Sequence, residues 1–149
     1  MQKITSRENP TLKNIAKLIK SSKARGEQKI FITEGLRLCR DALKSSMSVE
    51  FVCFSQSFTE KHSSDCEQFK EISASYLLPD ALFSKICDTQ TPQGILCGIK
   101  MLDKTVDSDK IKVSGKVVAL ENIQDPSNMG TVLRTAEAFG IDCVILSSG

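Results

Sequence analysis

Strand-type and helix-type segments alternate along the chain, and this alternation restricts the fold more than any other feature of the sequence. Runs rich in aliphatic, β-branched and aromatic residues predict strands at 30–32, 49–54, 72–78, 95–99, 116–120 and 142–146. Apolar periodicity and helix-starting residues predict helices from Pro10 onward and at 36–44, 59–69, 79–87 and 128–139. Strands that alternate with helices are typical of layered α/β domains. The predicted fold class is therefore α/β.

The composition narrows the class of protein. With 40% hydrophobic and 26% charged residues, the chain has enough apolar material to bury, and no run approaches the roughly 20 apolar residues of a membrane span. The six cysteines show no Cys-x-x-Cys spacing, and His62 is the only histidine. We see no export signal in the first 20 residues. We therefore expect a cytoplasmic protein with free thiols, no metal site and no membrane partner.

The segment 103–114 divides the alternating pattern into two parts. It is rich in Asp, Lys and Ser and poor in apolar residues, which predicts a linker between a domain at 1–102 and a second domain at 115–149. The second part holds one strand–helix–strand unit, which needs further strands and helices to bury both faces. A segment of about 40 residues seldom holds a core alone. We therefore expect 115–149 to be the incomplete start of a larger domain.

Basic residues are concentrated at the amino-terminal end. Residues 1–29 hold eight basic and two acidic side chains, whereas 51–109 hold five basic and nine acidic ones. Asn9 is the predicted cap and Pro10 the first residue of a helix with one apolar face. The lysines occupy a different face at helical spacing: Lys13, Lys17 and Lys20. Such a surface fits either a solvated helix face or a site for nucleic-acid phosphates.

Residues 121–134 form the most informative segment. Asp-Pro favours a turn, Asn128 is predicted to cap the helix that follows, and Gly130 permits close approach of a ligand or backbone. Together with Arg134, the free N–H groups at this helix start would suit a phosphate or ribose. A well-capped helix after a strand is the alternative. Neither G-x-G-x-x-G nor G-x-x-x-x-G-K-[ST] occurs in the chain.

This segment resembles the first motif of the SpoU/TrmH family of S-adenosylmethionine-dependent RNA ribose 2′-O-methyltransferases. The matching residues are Asp125-Pro126-x-Asn128-x-Gly130-x-x-x-Arg134-Thr135-Ala136, followed by Phe139-Gly140. Two upstream segments resemble parts of the family's amino-terminal substrate-binding domain: Arg25…Phe31-x-x-Glu34-Gly35-x-Arg37, and Thr91-Pro92-Gln93-Gly94-Ile95. The three segments occur in the family's order, and the resemblance covers essentially the whole chain.

The resemblance implies a small ribosomal-protein-like α/β domain followed by the first β-α-β of a domain that is normally trefoil-knotted. In the family, two further motifs build the knot, the methyl-donor pocket and most of the dimer interface. Nothing in residues 1–149 matches them. We therefore expect no cofactor-binding residues in this chain, an inactive fragment, and a parent protein that is a homodimer using S-adenosylmethionine on RNA. Ribosomal RNA is favoured over transfer RNA.

The resemblance also implies roles for individual residues. Arg134 and Asn128 are the candidate catalytic residues, and Glu121 is a weaker candidate that is equally well explained as a solvated acid at a strand end. A guanidinium normally stays protonated, so Arg134 would act electrostatically. Phosphate contacts are assigned to Lys13, Lys17, Lys20, Lys23 and Arg25, and a more defined RNA contact to Glu34 and Arg37.

Aromatic residues make up only 5% of the chain and Trp is absent, so recognition through shape and phosphates is favoured over base stacking. A non-enzymatic RNA-binding adapter built on the ribosomal-protein-like domain is the alternative function.

Overall fold

A computed structural model describes residues 1–45, 47–102 and 115–147. The chain forms two compact units, Met1–Leu102 and Asp103–Gly149. The predicted linker at 103–114 lies outside the described residues. Within the described part of the chain, no helix is long and apolar enough to cross a membrane.

The first unit contains five strands and six helices. The strands are β1 (Gln2–Lys3), β2 (Ile30–Glu34), β3 (Val49–Ser55), β4 (Ser75–Leu78) and β5 (Ile95–Lys100). The helices are α1 (Pro10–Lys20), α2 (Ser22–Gln28), α3 (Leu36–Lys44), α4 (Gln56–Lys61), α5 (Ser63–Glu67) and α6 (Asp80–Ile86). The predicted α/β class is confirmed.

The five strands form one mixed sheet in the order β1-β4-β3-β5-β2. Strands β1, β4 and β3 run parallel, and β5 is antiparallel to both β3 and β2. Side chains alternate across the central strand β3: Phe51 and Cys53 enter one apolar cluster, whereas Val52 and Phe54 enter another. The sheet is therefore buried on both faces.

Helices cover the two faces in separate sets. Leu18 from α1, Ala24 from α2 and Phe83 from α6 pack on the face that carries Cys53. Cys39 from α3 and Phe58 from α4 pack on the opposite face. This arrangement gives three layers, and it places the basic helix α1 and the helix α3 on opposite sides of the sheet.

The predicted start of α1 is confirmed. The side chain of Asn9 accepts hydrogen bonds from the backbone N–H groups of Thr11 (2.9 Å) and Leu12 (3.3 Å), and Pro10 is the first helical residue. These bonds satisfy N–H groups that have no partner inside the helix. The apolar face of α1 is buried, with Ile15 2% exposed.

In the first unit, the number of elements differs from the prediction at three places, and β4 begins at Ser75 instead of 72. The helix expected at 59–69 is two short helices, α4 and α5, separated at His62, whose ring stacks on Phe58 at 4.8 Å. Helix α2 was not predicted because its seven residues contain one buried side chain, Ala24, and no apolar periodicity. Strand β1 was not predicted because both of its side chains are exposed and it joins the sheet through its backbone alone.

The described part of the second unit is a single strand–helix–strand arrangement, as predicted. Strand β6 (Val117–Leu120) pairs in parallel with β7 (Cys143–Leu146), and helix α7 (Pro126–Ala138) connects them. Only Ala136 of this unit is a buried apolar residue among those described, whereas Phe139 is 74% exposed. The unit therefore leaves much of its apolar surface uncovered.

Candidate functional site

Helix α7 begins two residues before the predicted position, and its cap is Asp125 rather than Asn128. The carboxylate of Asp125 accepts a hydrogen bond from the N–H of Ser127 at 2.8 Å. Pro126 causes the shift, because a proline fits the first turn of a helix and favours extended backbone in the residue before it. Asp125 has this extended conformation (φ −87°, ψ 115°), so the predicted cap at Asn128 is wrong.

Asn128 is instead the third helical residue, and its side chain is exposed. Arg134 lies six residues later, about 120° away around the helix axis at 3.6 residues per turn. Among the described residues, no hydrogen bond joins the two side chains. The structure thus places both candidate catalytic residues on α7 but does not bring them together.

The guanidinium of Arg134 is directed toward the amino-terminal half of α7. Its Nη2 donates a hydrogen bond to the hydroxyl of Thr131 at 3.2 Å, and its Nη1 lies 3.4 Å from the position that a Cβ on Gly130 would occupy. The arginine thus lies along the helix surface over Gly130, at van der Waals distance from that position. A positive group therefore lies beside the amino-terminal half of the helix, the half in which the helix dipole favours anions.

The carboxyl ends of β6 and β7 meet beside this helix start. The N–H of Ser147 donates to the carbonyl of Leu120 at 3.0 Å, and the N–H of Asn122 donates to the Ser147 hydroxyl at 3.0 Å. Asn122 has a φ of +55°, which turns the chain sharply after the strand, and Glu121 beside it is exposed. Ligands of α/β sheets bind at this end of the strands.

A groove of about 310 Å³ lies against α7 and is lined by Val118, Thr131, Val132, Thr135, Ala136, Phe139 and Ile141. Only the two threonine hydroxyls provide polar side-chain atoms there. S-adenosylmethionine carries a sulfonium charge, an amino-acid group and ribose hydroxyls, which need polar partners. This groove therefore does not by itself fit the methyl donor. Also within the described part of the chain, no cluster of His, Cys, Asp and Glu side chains is suited to a metal ion.

The lysines of the first unit that are predicted to contact phosphate differ in whether they form an ion pair with a neighbouring acid. Lys17 and Lys20 are exposed in the last turn of α1. Lys13 forms an ion pair with Glu8, which holds the pKa of Glu8 below its ordinary value through a hydrogen bond and charge attraction. The Nζ of Lys23 lies 3.9 Å from Oε1 of Glu27. Both side chains are exposed, so this ion pair is weak and a phosphate can replace Glu27 as the partner of Lys23.

Arg25 has a structural role that the sequence did not reveal. Its Nη1 donates hydrogen bonds of 2.9 Å to the carbonyl oxygens of Leu18 and Ile19. These are carbonyls of the last turn of α1, which lack partners inside the helix. Arg25 therefore fixes α2 against the end of α1, and its predicted contact with phosphate would use its other N–H groups.

Glu34 and Arg37 lie where the two upstream segments of the family resemblance meet. Gly35 has a φ of +95° and donates its N–H to the carbonyl of Ile95 at 3.0 Å. The side-chain oxygen of Gln93 accepts a hydrogen bond from the N–H of Leu36, the first residue of α3, at 3.0 Å. Gln93 thereby supplies the cap that Gly35 lacks, and the two segments hold each other in place.

Glu34 also accepts a hydrogen bond from the hydroxyl of Thr89. Burial and the nearby carboxylate of Glu34 raise the pKa of Cys87 to about 12, so this thiol is protonated at neutral pH. Glu34 is thus tied to the segment that carries Thr89, and the Cys87 thiol beside it is uncharged.

Two further cations beside Arg37 were missed in the sequence. Arg40 and Lys44 follow Arg37 at helical spacing and line with it a shallow depression of about 410 Å³ that also includes Gln93 and the acidic Asp41. Arg40 forms an ion pair with Asp65, which is 8% exposed. The i, i+3, i+7 spacing of these three cations could have indicated the surface.

Comparisons with known proteins agree with this architecture. Residues 9–97 match the family model of the MRM3-like substrate binding domain, and residues 115–149 match that of the SpoU rRNA Methylase family. The chain is 33% identical over its whole length to the Bacillus subtilis 23S rRNA (guanosine(2553)-2′-O)-methyltransferase RlmP. It is 30% identical over 93% of its length to human mitochondrial rRNA methyltransferase 3.

The solved structure of an AdoMet-bound rRNA methyltransferase from Sinorhizobium meliloti has the same fold over 99% of this chain, with a TM-score of 0.80 and 25% identity. The chain spans 56% of the Bacillus protein, 33% of the human protein and 55% of the Sinorhizobium chain.

The fold and the site define a two-unit α/β protein in which a basic, substrate-binding type of unit precedes a methylase type of strand–helix–strand unit. The chain belongs to the family of the MRM3-like substrate binding domain, and its residues 115–149 match the SpoU rRNA Methylase family.

Proposed function

We propose that these residues serve an S-adenosylmethionine-dependent RNA ribose 2′-O-methyltransferase. The observation that carries the proposal is the position of the Arg134 guanidinium, which lies over Gly130 toward the start of α7 in the segment that matches the methylase model. An exposed cation beside the amino-terminal half of a helix, at the carboxyl ends of the strands, suits a substrate with phosphate and ribose oxygens.

The chemistry of a ribose hydroxyl explains the need for such a cation. A 2′-hydroxyl is scarcely ionised at neutral pH and is a weak nucleophile, so its attack on a methyl group requires alignment and stabilisation of the developing negative charge. Arg134 would supply that stabilisation directly or through the neighbouring phosphate. Asn128 would contact the ribose or the motif loop, since it does not contact Arg134. The donor's sulfonium supplies an electrophilic methyl group.

The first unit would select the RNA. Lys17, Lys20 and Lys23 are exposed cations on one face of the sheet, and Arg37 adds one on the other. The relatives named above as methyltransferases of ribosomal RNA support ribosomal over transfer RNA as the substrate. We also propose that the active protein is a homodimer, which the family resemblance implies.

Residues 1–149 are proposed to be inactive in isolation. The match covers 56% of the Bacillus relative and 33% of the human one, so both carry much further chain outside it. The described part of the second unit offers the methyl donor an almost entirely apolar groove. The donor site would therefore require segments like those of the relatives.

Methyl transfer is tested with the whole protein that the gene encodes, of which residues 1–149 are a part, and not with residues 1–149 alone. The protein is incubated with tritiated S-adenosylmethionine and ribosomal RNA, and the labelled linkage is tested for resistance to alkali, which marks 2′-O-methylation because the free hydroxyl is needed for cleavage. Arg134→Ala should lower the rate at least a hundredfold. Lys116→Ala is the control, since Lys116 is an exposed cation at the opposite end of β6.

Two results would contradict the proposal. Unchanged transfer in Arg134→Ala would remove the assigned role of Arg134. RNA binding by the gene product without any methyl transfer would favour a non-enzymatic RNA-binding adapter.

A further inference from the structure

An open groove of about 400 Å³ lies between α1 and α6, and Lys13 is the one residue of its lining that the sequence analysis assigned to RNA. Apolar side chains form its floor, including Ala16 from α1 and Leu82 and Ile86 from α6. Three cations stand around it: Arg7 from the segment before α1, Lys13 from α1 and Lys85 from α6. The groove thus combines an apolar floor with a positive rim.

The rim is strongly unbalanced in charge. Glu8, itself exposed, pairs with Lys13. Among the ion pairs of the described residues, none involves Arg7 or Lys85. A site with at least two uncompensated cations from different segments complements an anionic ligand.

The apolar floor of the groove favours one kind of polyanion over another. A duplex backbone would contact the rim cations and leave the apolar floor facing water. An unpaired nucleotide can place its base on the floor and its flanking phosphates against the rim, and bases turned out of the stack are what proteins read in RNA. The volume lies within the range of about 300–1,000 Å³ that is usual for small ligands.

We propose that the groove between α1 and α6 binds one unpaired nucleotide of the RNA, with its base on Leu82 and Ile86 and its phosphates at Arg7 and Lys85. This proposal rests on the RNA-binding part of the proposed function. It adds Arg7 and Lys85, which neither the motifs nor the family resemblance indicated, to the RNA contacts.

Binding is measured by fluorescence anisotropy with two labelled probes, a single-stranded uridine 20-mer and a 20-base-pair RNA duplex. The test variant is Arg7→Ala with Lys85→Ala. The control is Lys61→Ala with Lys70→Ala, since both of these lysines are exposed and lie among the elements that cover the opposite face of the sheet. The test variant should bind the single strand about tenfold more weakly, with a salt slope smaller by about 1.4, because each phosphate contact contributes about 0.7.

The floor is tested separately. Leu82→Asp should weaken binding of the single strand at least tenfold and binding of the duplex less than threefold. Because this variant could also unfold the helix, the unaltered protein is cross-linked to a 20-mer that contains 4-thiouridine. Cross-linked peptides from α1 or α6 are expected.

The outcomes separate the two proposals. If the unaltered chain binds neither probe, RNA binding by this unit and the groove proposal both fail. If it binds the single strand but the Arg7 and Lys85 variant binds equally well, only the groove proposal is overturned. Equal weakening for both probes, or cross-links that map only outside α1 and α6, would also overturn it.

Discussion

At the scale of single residues, two glycines differ in what a side chain at their position would contact. Gly94 has a φ of +91°, and a Cβ there would lie 2.6 Å from the hydroxyl oxygen of Ser55 and 2.7 Å from Cβ of Phe58. Gly130 is different, because a Cβ there would lie 3.4 Å from the end of the flexible Arg134, at ordinary van der Waals distance. The first glycine is therefore required by the fold, whereas a side chain at the second is sterically tolerated.

Gly94→Ala is expected to lower the free energy of unfolding by about 2–4 kcal/mol. The cost arises from the left-handed backbone conformation together with overlap of the new methyl group with its neighbours. Gly26→Ala is the matched control: nothing lies within 4 Å of its Cβ position in α2, and alanine in a helix is favoured over glycine by up to about 1 kcal/mol. Urea unfolding of the 149-residue chain measures both, and a Gly94→Ala chain as stable as the original would contradict the geometry.

At the scale of secondary-structure elements, contacts between distant segments determine where helices begin. Helix α1 contains its own cap and apolar face, so its start could be predicted from the sequence. Helix α3 receives its cap from Gln93, 57 positions away, and no local pattern indicates this. The error at α7 was local, because the effect of Pro126 on Asp125 could have been recognised.

Gln93→Ala should lower the free energy of unfolding by about 1 kcal/mol, since it leaves the N–H of Leu36 without its partner. Gln90→Ala is the control, because Gln90 is an exposed glutamine three residues earlier. Urea unfolding of the three proteins gives the comparison. Equal losses in the two variants would show that the hydrogen bond from Leu36 is not what matters.

The exposed lysines of α1 should contribute to RNA affinity through charge alone. Lys17→Ala with Lys20→Ala should weaken binding of the single-stranded uridine 20-mer and reduce its salt slope by about 1.4. The Lys61 and Lys70 double variant is again the control. An affinity and a slope that match the unaltered chain would show that this face of α1 is solvated surface, the alternative that the charge pattern left open.

At the scale of the whole molecule, the sequence predicted best those features that depend on residues close together in the chain. The α/β class followed from the alternation of elements, and the family followed from the segment around Asp125 and Arg134. The groove between α1 and α6 could not be predicted, because it exists only after Arg7 and Lys85, 78 positions apart, are brought together by packing. The pairing of Arg40 with Asp65 was missed for the same reason.

The last prediction concerns the methyl donor. The 149-residue chain should show no binding of S-adenosylmethionine by calorimetry at micromolar to millimolar concentrations, since the groove against α7 provides apolar walls and two hydroxyls but no carboxylate. The same preparation should bind the uridine 20-mer, which shows that its first unit is folded, and a far-ultraviolet circular dichroism spectrum unchanged by the donor is expected beside it. Micromolar binding of the donor would contradict the prediction and would mean that residues 1–149 supply enough polar partners for it.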